Sequence, residues 1–202
     1  MGTSHLPTLI LMAGHAGTGK TTFSRHFLVR ELEHSRSWAF LDKDTIGGVF
    51  THALMELHCG DGFDRDSSVF ASKVRPLEYK ALHDTALENL SMGISCVACA
   101  PFGRECANRE SFETYTKSFN GVANIKLVWS HVSNMDAYQR IQARNHPMDK
   151  YKLEHWDTYV ARRYEPRWAQ THHNAFWLNS GQNDTAALEW LQTPDWSPSF
   201  TL

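Results

Sequence analysis

The sequence predicts an α/β protein, a parallel sheet covered by helices on both faces and folded as one domain. Three observations predict it. Short apolar runs alternate with longer amphipathic stretches, the pattern of strands joined by crossover helices. The first apolar run ends at a glycine-rich turn followed directly by a helix. The length of 202 residues, with 42% hydrophobic and 21% charged residues, suits a single core of ordinary globular composition.

The elements follow in chain order. TLILMA (Thr8 to Ala13) reads as a buried parallel strand ending at Gly14. TTFSRHFLVRELEHS carries Phe23, Phe27, Leu28 and Leu32 at helical spacing. WAFL (Trp38 to Leu41) reads as a second strand running into DKD. Residues 51–74, with GDGFDRDSS in their middle, have a weak pattern and read as an irregular or partly helical insertion. PLEYKALHDTALENL reads as a helix stopped at Gly93, and GISCVACAPFG as a third strand and turn. Arg104 to Phe119 reads as helical. NIKLVWSHV is the fourth strand, after which Ser133 caps the helix MDAYQRIQARN. The basic, aromatic stretch HPMDKYKLEHWDTYVARRY leads into another helix. FWLNSG is the fifth strand with its turn, DTAALEWLQ a last helix, and TPDWSPSF a surface tail. No repeat or linker interrupts residues 1–202.

Bulk properties exclude several classes. A net charge of -2 argues against wrapping on nucleic acid. No apolar run approaches the roughly 20 residues that span a bilayer. The start, MGTSHLPTLI, lacks the layout of a secretory signal, and Leu6 stands where a myristoylation signal wants Ser or Thr. Cys96 and Cys99 form a CxxC inside a strand, where residues three apart face opposite ways and cannot easily share a metal. The cysteines read as reduced core residues of a cytoplasmic chain. The 12 histidines show no ligand spacing, and the tryptophans, Trp196 included, read as core.

The chemistry is concentrated in GHAGTGKTTF. Gly14, Gly19, Lys20 and Thr21 fit G-x-x-x-x-G-K-[ST]. Glycines let the backbone turn so that successive N–H groups face phosphate oxygens, and the helix N-terminus faces the same anion. The stretch Gly14, His15, Ala16, Gly17, Thr18, Gly19, Lys20, Thr21 and Thr22 is therefore the expected nucleotide cradle. Lys20 neutralises the β- and γ-phosphates, and Thr21 offers a hydroxyl to Mg²⁺.

A switch GTPase would carry N-K-x-D after a late strand, and none is present. A motor-type ATPase would end an apolar strand with an acidic pair, yet the third strand ends in CAPF. A kinase predicts acid at the end of the second strand and arginines on a lid helix. LDKDTI supplies Asp42 and Asp44 at the carboxyl edge of the sheet, where α/β proteins bind ligands. One carboxylate there can accept the acceptor's proton, and the other can hold water around the metal. Arg140 and Arg144 share a helix face, and a basic segment follows, so a lid is expected at about 140–155.

The combination GHAGTGKTT, LDKDTI, RPLEYKALHDTALENLSMGISCVACAPFGRE and RIQARNHPMDKYKLEHWDTY resembles uncharacterised bacterial "AAA family ATPase" and predicted-kinase proteins. These are relatives of polynucleotide kinase, zeta toxin and chloramphenicol phosphotransferase. The resemblance implies a three-layer P-loop NTPase fold like that of nucleoside monophosphate kinases, with sheet order 2-3-1-4-5. It implies that Lys20 and Thr21 hold Mg-ATP, that Asp44 is the acceptor-side base and a metal-side group, and that Arg140 and Arg144 belong to the lid. Ser180, in the turn Asn179-Ser180-Gly181, would border adenine. Two positions depart from the pattern. Polynucleotide kinases have arginine where Gly47 stands, and many relatives have aspartate where Cys99 stands.

The acceptor is expected between the second-strand aspartates, the insertion and the turn after the third strand. Arg75, Tyr79, Phe102, Arg104 and Glu105 are the candidates to hold it, with Phe50, Phe63 and Phe70 nearby. Aromatics with a few polar anchors suit a small molecule bearing a hydroxyl. The expectation is an ATP- and Mg²⁺-dependent phosphotransferase with a small-molecule acceptor. A 5′-hydroxyl polynucleotide kinase, a zeta-type nucleotide-sugar kinase toxin and an ATP-binding sensor that transfers nothing are the alternatives.

Overall fold

The structure is a computed structural model describing residues 6–193, so most of the expected surface tail, with Trp196, lies outside the described residues. Five parallel strands form one sheet: β1 (Thr8–Ala13), β2 (Ala39–Asp42), β3 (Cys96–Cys99), β4 (Asn124–His131) and β5 (Ala175–Asn179). Their spatial order is β2-β3-β1-β4-β5, so β1 lies at the centre with the glycine-rich loop at its carboxyl end.

The strands are apolar on both sides because both faces of the sheet are covered. Leu9, Leu11 and Ala13 of β1 face one apolar cluster, and Ile10 and Met12 face the other. On the first face lie helix α3 (Arg75–Ser91), through Tyr79, Leu82, Ala86 and Leu90, and helix α4 (Arg109–Thr116), through Phe112. On the second lie α1 (Lys20–Glu33), through Phe23 and Phe27, and α8 (Asp184–Gln192), through Ala187, Leu188 and Leu191. Cys96 belongs to the first cluster and Cys99 to the second, so the CxxC is split across the sheet. Cys59 departs from the core expectation, being exposed. Leu32 does too, at 67% exposure.

Three stretches are resolved more finely than the sequence expectation, and one helix starts later than expected. Helix α2 (Lys43–Cys59) takes in residues 51–59 of the supposed insertion. Its inward positions are Gly47, Thr51 and Met55, while Val49, Phe50 and Leu57 face outward, so the hydrophobic periodicity runs against the burial. A loop and a π-helical turn, Phe70–Val74, join it to α3. The helix expected from Arg104 begins only at Arg109, where Asn108 caps it. The lid region comprises α5 (Asn134–Arg144), capped by Ser133 as expected, a 3₁₀ turn at Pro147–Asp149, α6 (Lys150–Glu154) and α7 (Trp156–Arg162). Among the described residues no helix is long and apolar enough to cross a membrane.

Candidate active site

The loop between β1 and α1 is built from backbone that only glycine adopts easily. Gly14, Gly17 and Gly19 have φ of 136°, 78° and 87°. A Cβ on Gly14 would lie 2.3 Å from the Ser130 carbonyl oxygen, and one on Gly17 2.8 Å from that of Ala137. The loop is thus pressed against β4 and α5. Side chains lock it further. Thr18 Oγ1 donates to the His15 carbonyl at 2.9 Å, and Ser130 Oγ donates to the Thr18 carbonyl at 2.7 Å. Lys20 Nζ also donates to the His15 carbonyl, at 2.8 Å. Burial pulls the Lys20 ammonium below its usual value, and the Asp44 and Asp42 carboxylates act against that.

A cavity of about 720 Å³ opens at this carboxyl edge. Ala16, Gly17, Gly19, Lys20, Thr21 and Thr22 line it, whereas Gly14, His15 and Thr18 do not. The His15 ring is turned inward, edge-on to Trp129 and Tyr164, with Nε2 2.6 Å from the Tyr164 carbonyl oxygen. Burial lowers its pKa to about 4. The His15 side chain therefore supports the loop from behind, and any part His15 takes in the expected cradle falls to its backbone.

Arg140, Arg144 and Ser180 form the far side of this nucleotide half. Arg140 Nη1 donates to Ser180 Oγ at 3.1 Å. Arg144 is held by Asp149, whose carboxylate it meets at 2.6 and 2.8 Å and which is only 3% exposed.

The two aspartates separate. Asp42 ends β2 and caps α2, with Oδ1 accepting from the Asp44 N–H at 2.9 Å. Its Oδ2 accepts from the Thr21 hydroxyl at 3.3 Å. A hydroxyl and a carboxylate side by side are the hard oxygen donors Mg²⁺ takes, so these residues fit that ion. Cys99 Sγ is 3.7 Å from Thr21 Oγ1, but burial pushes its thiol up to about 11, leaving it neutral and soft. The carboxylate that meets Thr21 is thus Asp42, where the sequence expectation had put Asp44. Among the described residues no group of three or more His, Cys, Asp or Glu side chains is placed to hold a metal ion by itself.

Asp44 also lines the cavity, with its side chain 59% exposed and accepting from Lys43 Nζ at 2.7 Å, and the Lys20 charge reaches it too. Enclosure in the cleft acts to raise its pKa; the Lys43 ammonium outweighs this and holds the carboxyl below its usual value. Lys43 is itself buried and pairs with Glu78 at 2.8 Å, while Thr51 donates to the same Glu78 at 2.7 Å. Burial acts to lower the Lys43 ammonium, and the Asp44 and Glu78 carboxylates together raise it above its usual value. Gly47 sits against this pair, where even a Cβ would be 3.3 Å from Glu78 Cγ.

The side of the cavity where the acceptor is expected is lined further by Arg65, Phe70, Arg75, Tyr79, Ala100 and Pro101. Arg75 donates to both Glu105 oxygens, at 3.1 and 2.9 Å, and its guanidinium lies 3.9 Å above the Tyr79 ring. The Tyr79 hydroxyl accepts from the Phe102 N–H at 3.0 Å. Of the five acceptor-side candidates, Arg75 and Tyr79 line the cavity and Glu105 fixes Arg75. Phe102 is fully buried in the core, and Arg104 is exposed outside the lining, so both expectations are corrected. Phe102 has a φ of 50°, which swings its ring into the first cluster rather than the crevice. Phe50 and Phe63 are also exposed and outside the lining, and only Phe70 reaches it.

Lys43, Arg65, Glu78, Asp149 and Asp184 line the cavity without having been expected. Glu78 had a signal: it sits four residues before Leu82, on the stripe that α3 buries, and a carboxylate on an apolar stripe needs a partner.

The AAA domain family model matches residues 9–166. Among solved structures the chain resembles a "putative kinase" of Chloroflexus aurantiacus at 20% identity and a TM-score of 0.64, covering 93% of this chain and 97% of that one. It resembles the Mycobacterium tuberculosis APS kinase CysC, solved with AMPPNP and APS, at 13% identity and TM-score 0.60, covering 94% and 99%. A sugar kinase of Janibacter follows at 14% and 0.57, covering 92% and 94%. These similarities show the fold, a five-stranded P-loop architecture. Among curated proteins no sequence match is found. With most of its length matched by the family model, the chain belongs to the AAA domain family.

Proposed function

We propose that the protein transfers the γ-phosphate of ATP to a hydroxyl of a small molecule, with Mg²⁺. One observation carries the reading: a single cavity joins the phosphate loop to a second wall bearing Asp44, with Arg140 and Arg144 beside it. A protein that only held or hydrolysed nucleotide would not need that second wall. The kinase designations of structures sharing the fold point the same way.

In this reading the loop N–H groups and Lys20 hold the triphosphate, and Thr21 and Asp42 hold the metal. When bound, the metal supplies positive charge to the β- and γ-phosphate oxygens. Asp44, kept ionised by Lys43, accepts a hydrogen bond from the acceptor hydroxyl and aims its oxygen along the line of displacement. Phosphoryl transition states are loose, so this orientation matters more than early proton removal. Arg144 adds charge after exchanging Asp149 for the transferring group. The cavity falls within the range of small-molecule sites. A side chain at Gly47 would start 3.3 Å from Glu78 Cγ, so the arginine of polynucleotide kinases would require Glu78 to shift. The test is incubation with Mg-ATP and a small-molecule extract, followed by a mass search for products heavier by one phosphoryl group. A product formed by the intact protein and absent with Lys20→Ala supports the proposal. Nucleotide binding without any product counts against it.

A further inference from the structure

On the side of Asp44 the cavity is lined by Lys43, Arg75 and Arg65, with Lys152 paired to Asp66 close by, and of these all but Arg65 are matched by carboxylates. Lys43 is neutralised by Asp44 and Glu78, and Arg75 by Glu105. The third, Arg65, makes no ion pair or hydrogen bond with a carboxylate among the described residues, and the Asp64 and Asp44 carboxylates feel its charge only from a distance. Its Nη1 donates only to the carbonyls of Gly62 and Asp64, at 3.0 and 2.8 Å, and its buried Nε has no partner. Arginine does not shed its proton, so the charge stays in the cleft. An enclosed, half-satisfied guanidinium is costly unless an anion arrives to complete it.

The segment around Arg65 is held rather than loose. Asp64 Oδ1 accepts from the N–H groups of Asp66 and Ser67 at 2.8 and 3.0 Å. Asp66 is tied to Lys152 of α6 and Arg162 of α7, at 3.4 and 3.3 Å. The Phe70 ring centroid lies 5.5 Å from the guanidinium, giving it an apolar flank. Arg65 and Asp44 line the same cavity, so one bound molecule can present an anion to the first and a hydroxyl to the second.

We propose that the acceptor carries an oxyanion, a carboxylate or a phosphate ester, and that Arg65 receives it while Asp44 meets the hydroxyl. This rests on the transfer reading above and narrows it to acidic hydroxyl compounds. Arg75, fixed by Glu105 over Tyr79, forms the adjoining wall and is less free to serve as the anion's principal partner.

The test separates the anion site from transfer. With the phosphate loop filled by Mg²⁺ and a non-hydrolysable ATP analogue, the melting temperature is followed against inorganic phosphate, glycerate and neutral glycerol. Phosphate, glycerate or both should raise it for the wild type, with at least fivefold weaker half-saturation for Arg65→Gln and an intermediate value for Arg65→Lys. The responding anion tells phosphate ester from carboxylate. The rise given by the ATP analogue itself reports that each variant is folded. An anion response equal in wild type and Arg65→Gln, or absent from both, overturns the proposal. Transfer is then read on hydroxyl compounds supplied as acids and as neutral methyl esters. Phosphorylation of acids alone, with KM raised at least tenfold in Arg65→Gln, agrees with it. Esters accepted as readily as acids refute the oxyanion while leaving the transfer reading standing. No product from any compound refutes transfer, and the melting result still decides the anion site.

Discussion

The two halves of the cavity are made by different means. The nucleotide half is a contiguous stretch of backbone: three glycines at positive φ, pressed against β4 and α5, with Lys20 and Thr21 opening α1. The acceptor half is assembled from side chains far apart in sequence, with Lys43 meeting Glu78, Arg75 meeting Glu105, and Asp66 meeting Lys152 and Arg162. Backbone recognition of phosphate requires a fixed conformation, so it leaves a fixed motif. Pairing of charges requires only that opposite groups meet, and many sequences satisfy that. One half is suited to a ligand common to many proteins, and the other can be varied without disturbing it.

The contrast predicts where substitutions strike. Lys20→Ala should cut phosphotransfer about 10³-fold, because it removes charge from the phosphoryl group in the transition state; steady-state rates with saturating acceptor check it. Glu78→Gln tests the other half through stability. It leaves the buried Lys43 with Asp44 alone and should cost about 3 kcal/mol in urea unfolding at pH 7. A loss below about 1 kcal/mol would mean that this pair does not hold the acceptor wall together. Asp44→Asn should lower kcat about 10²-fold with nucleotide affinity unchanged, measured by rates beside equilibrium binding of the ATP analogue.

The loop also predicts a pH dependence. His15 has a folded pKa of about 4 against an ordinary 6.5. Between these values the unfolded chain binds the proton and the folded chain does not, so stability rises with pH and falls as pH drops below about 6.5. From pH 7 to pH 5 the loss on this account is about 2 kcal/mol. Urea unfolding at the two pH values should show it, and His15→Asn should remove that part of the slope. The smallest effect is expected at the Arg140–Ser180 contact. Ser180→Ala should change nucleotide affinity by no more than about fivefold, since this hydrogen bond stands in partial solvent.

Legibility in the sequence followed the same division. The strands, their alternation with helices and the phosphate loop were readable because each is local, and the sheet order came with the resemblance. Helix α2 was blurred because its buried positions are Gly47, Thr51 and Met55 while Val49, Phe50 and Leu57 face outward. Asp42 and Asp44 were found together but not told apart, since the contact with Thr21 joins the start of α1 to the end of β2, 21 residues distant. Phe102 and Arg104 looked like cavity residues by their place after β3. A positive φ at Phe102 and the Tyr79 hydroxyl on its N–H turned that stretch away, and nothing local announces either. Arg65 lay in the stretch hardest to read, and its importance comes from partners it lacks.

The account stands or falls on whether the two halves act on one reaction. The direct measurement is the balance between ADP and phosphorylated small molecule formed from Mg-ATP and an acidic, hydroxyl-rich metabolite extract, followed by mass spectrometry. The account predicts one phosphorylated molecule for each ADP, a rate about 10³-fold lower with Lys20→Ala and about 10²-fold lower with Asp44→Asn. ADP released with no phosphorylated partner, or product formed as fast by Asp44→Asn as by the wild type, would contradict it.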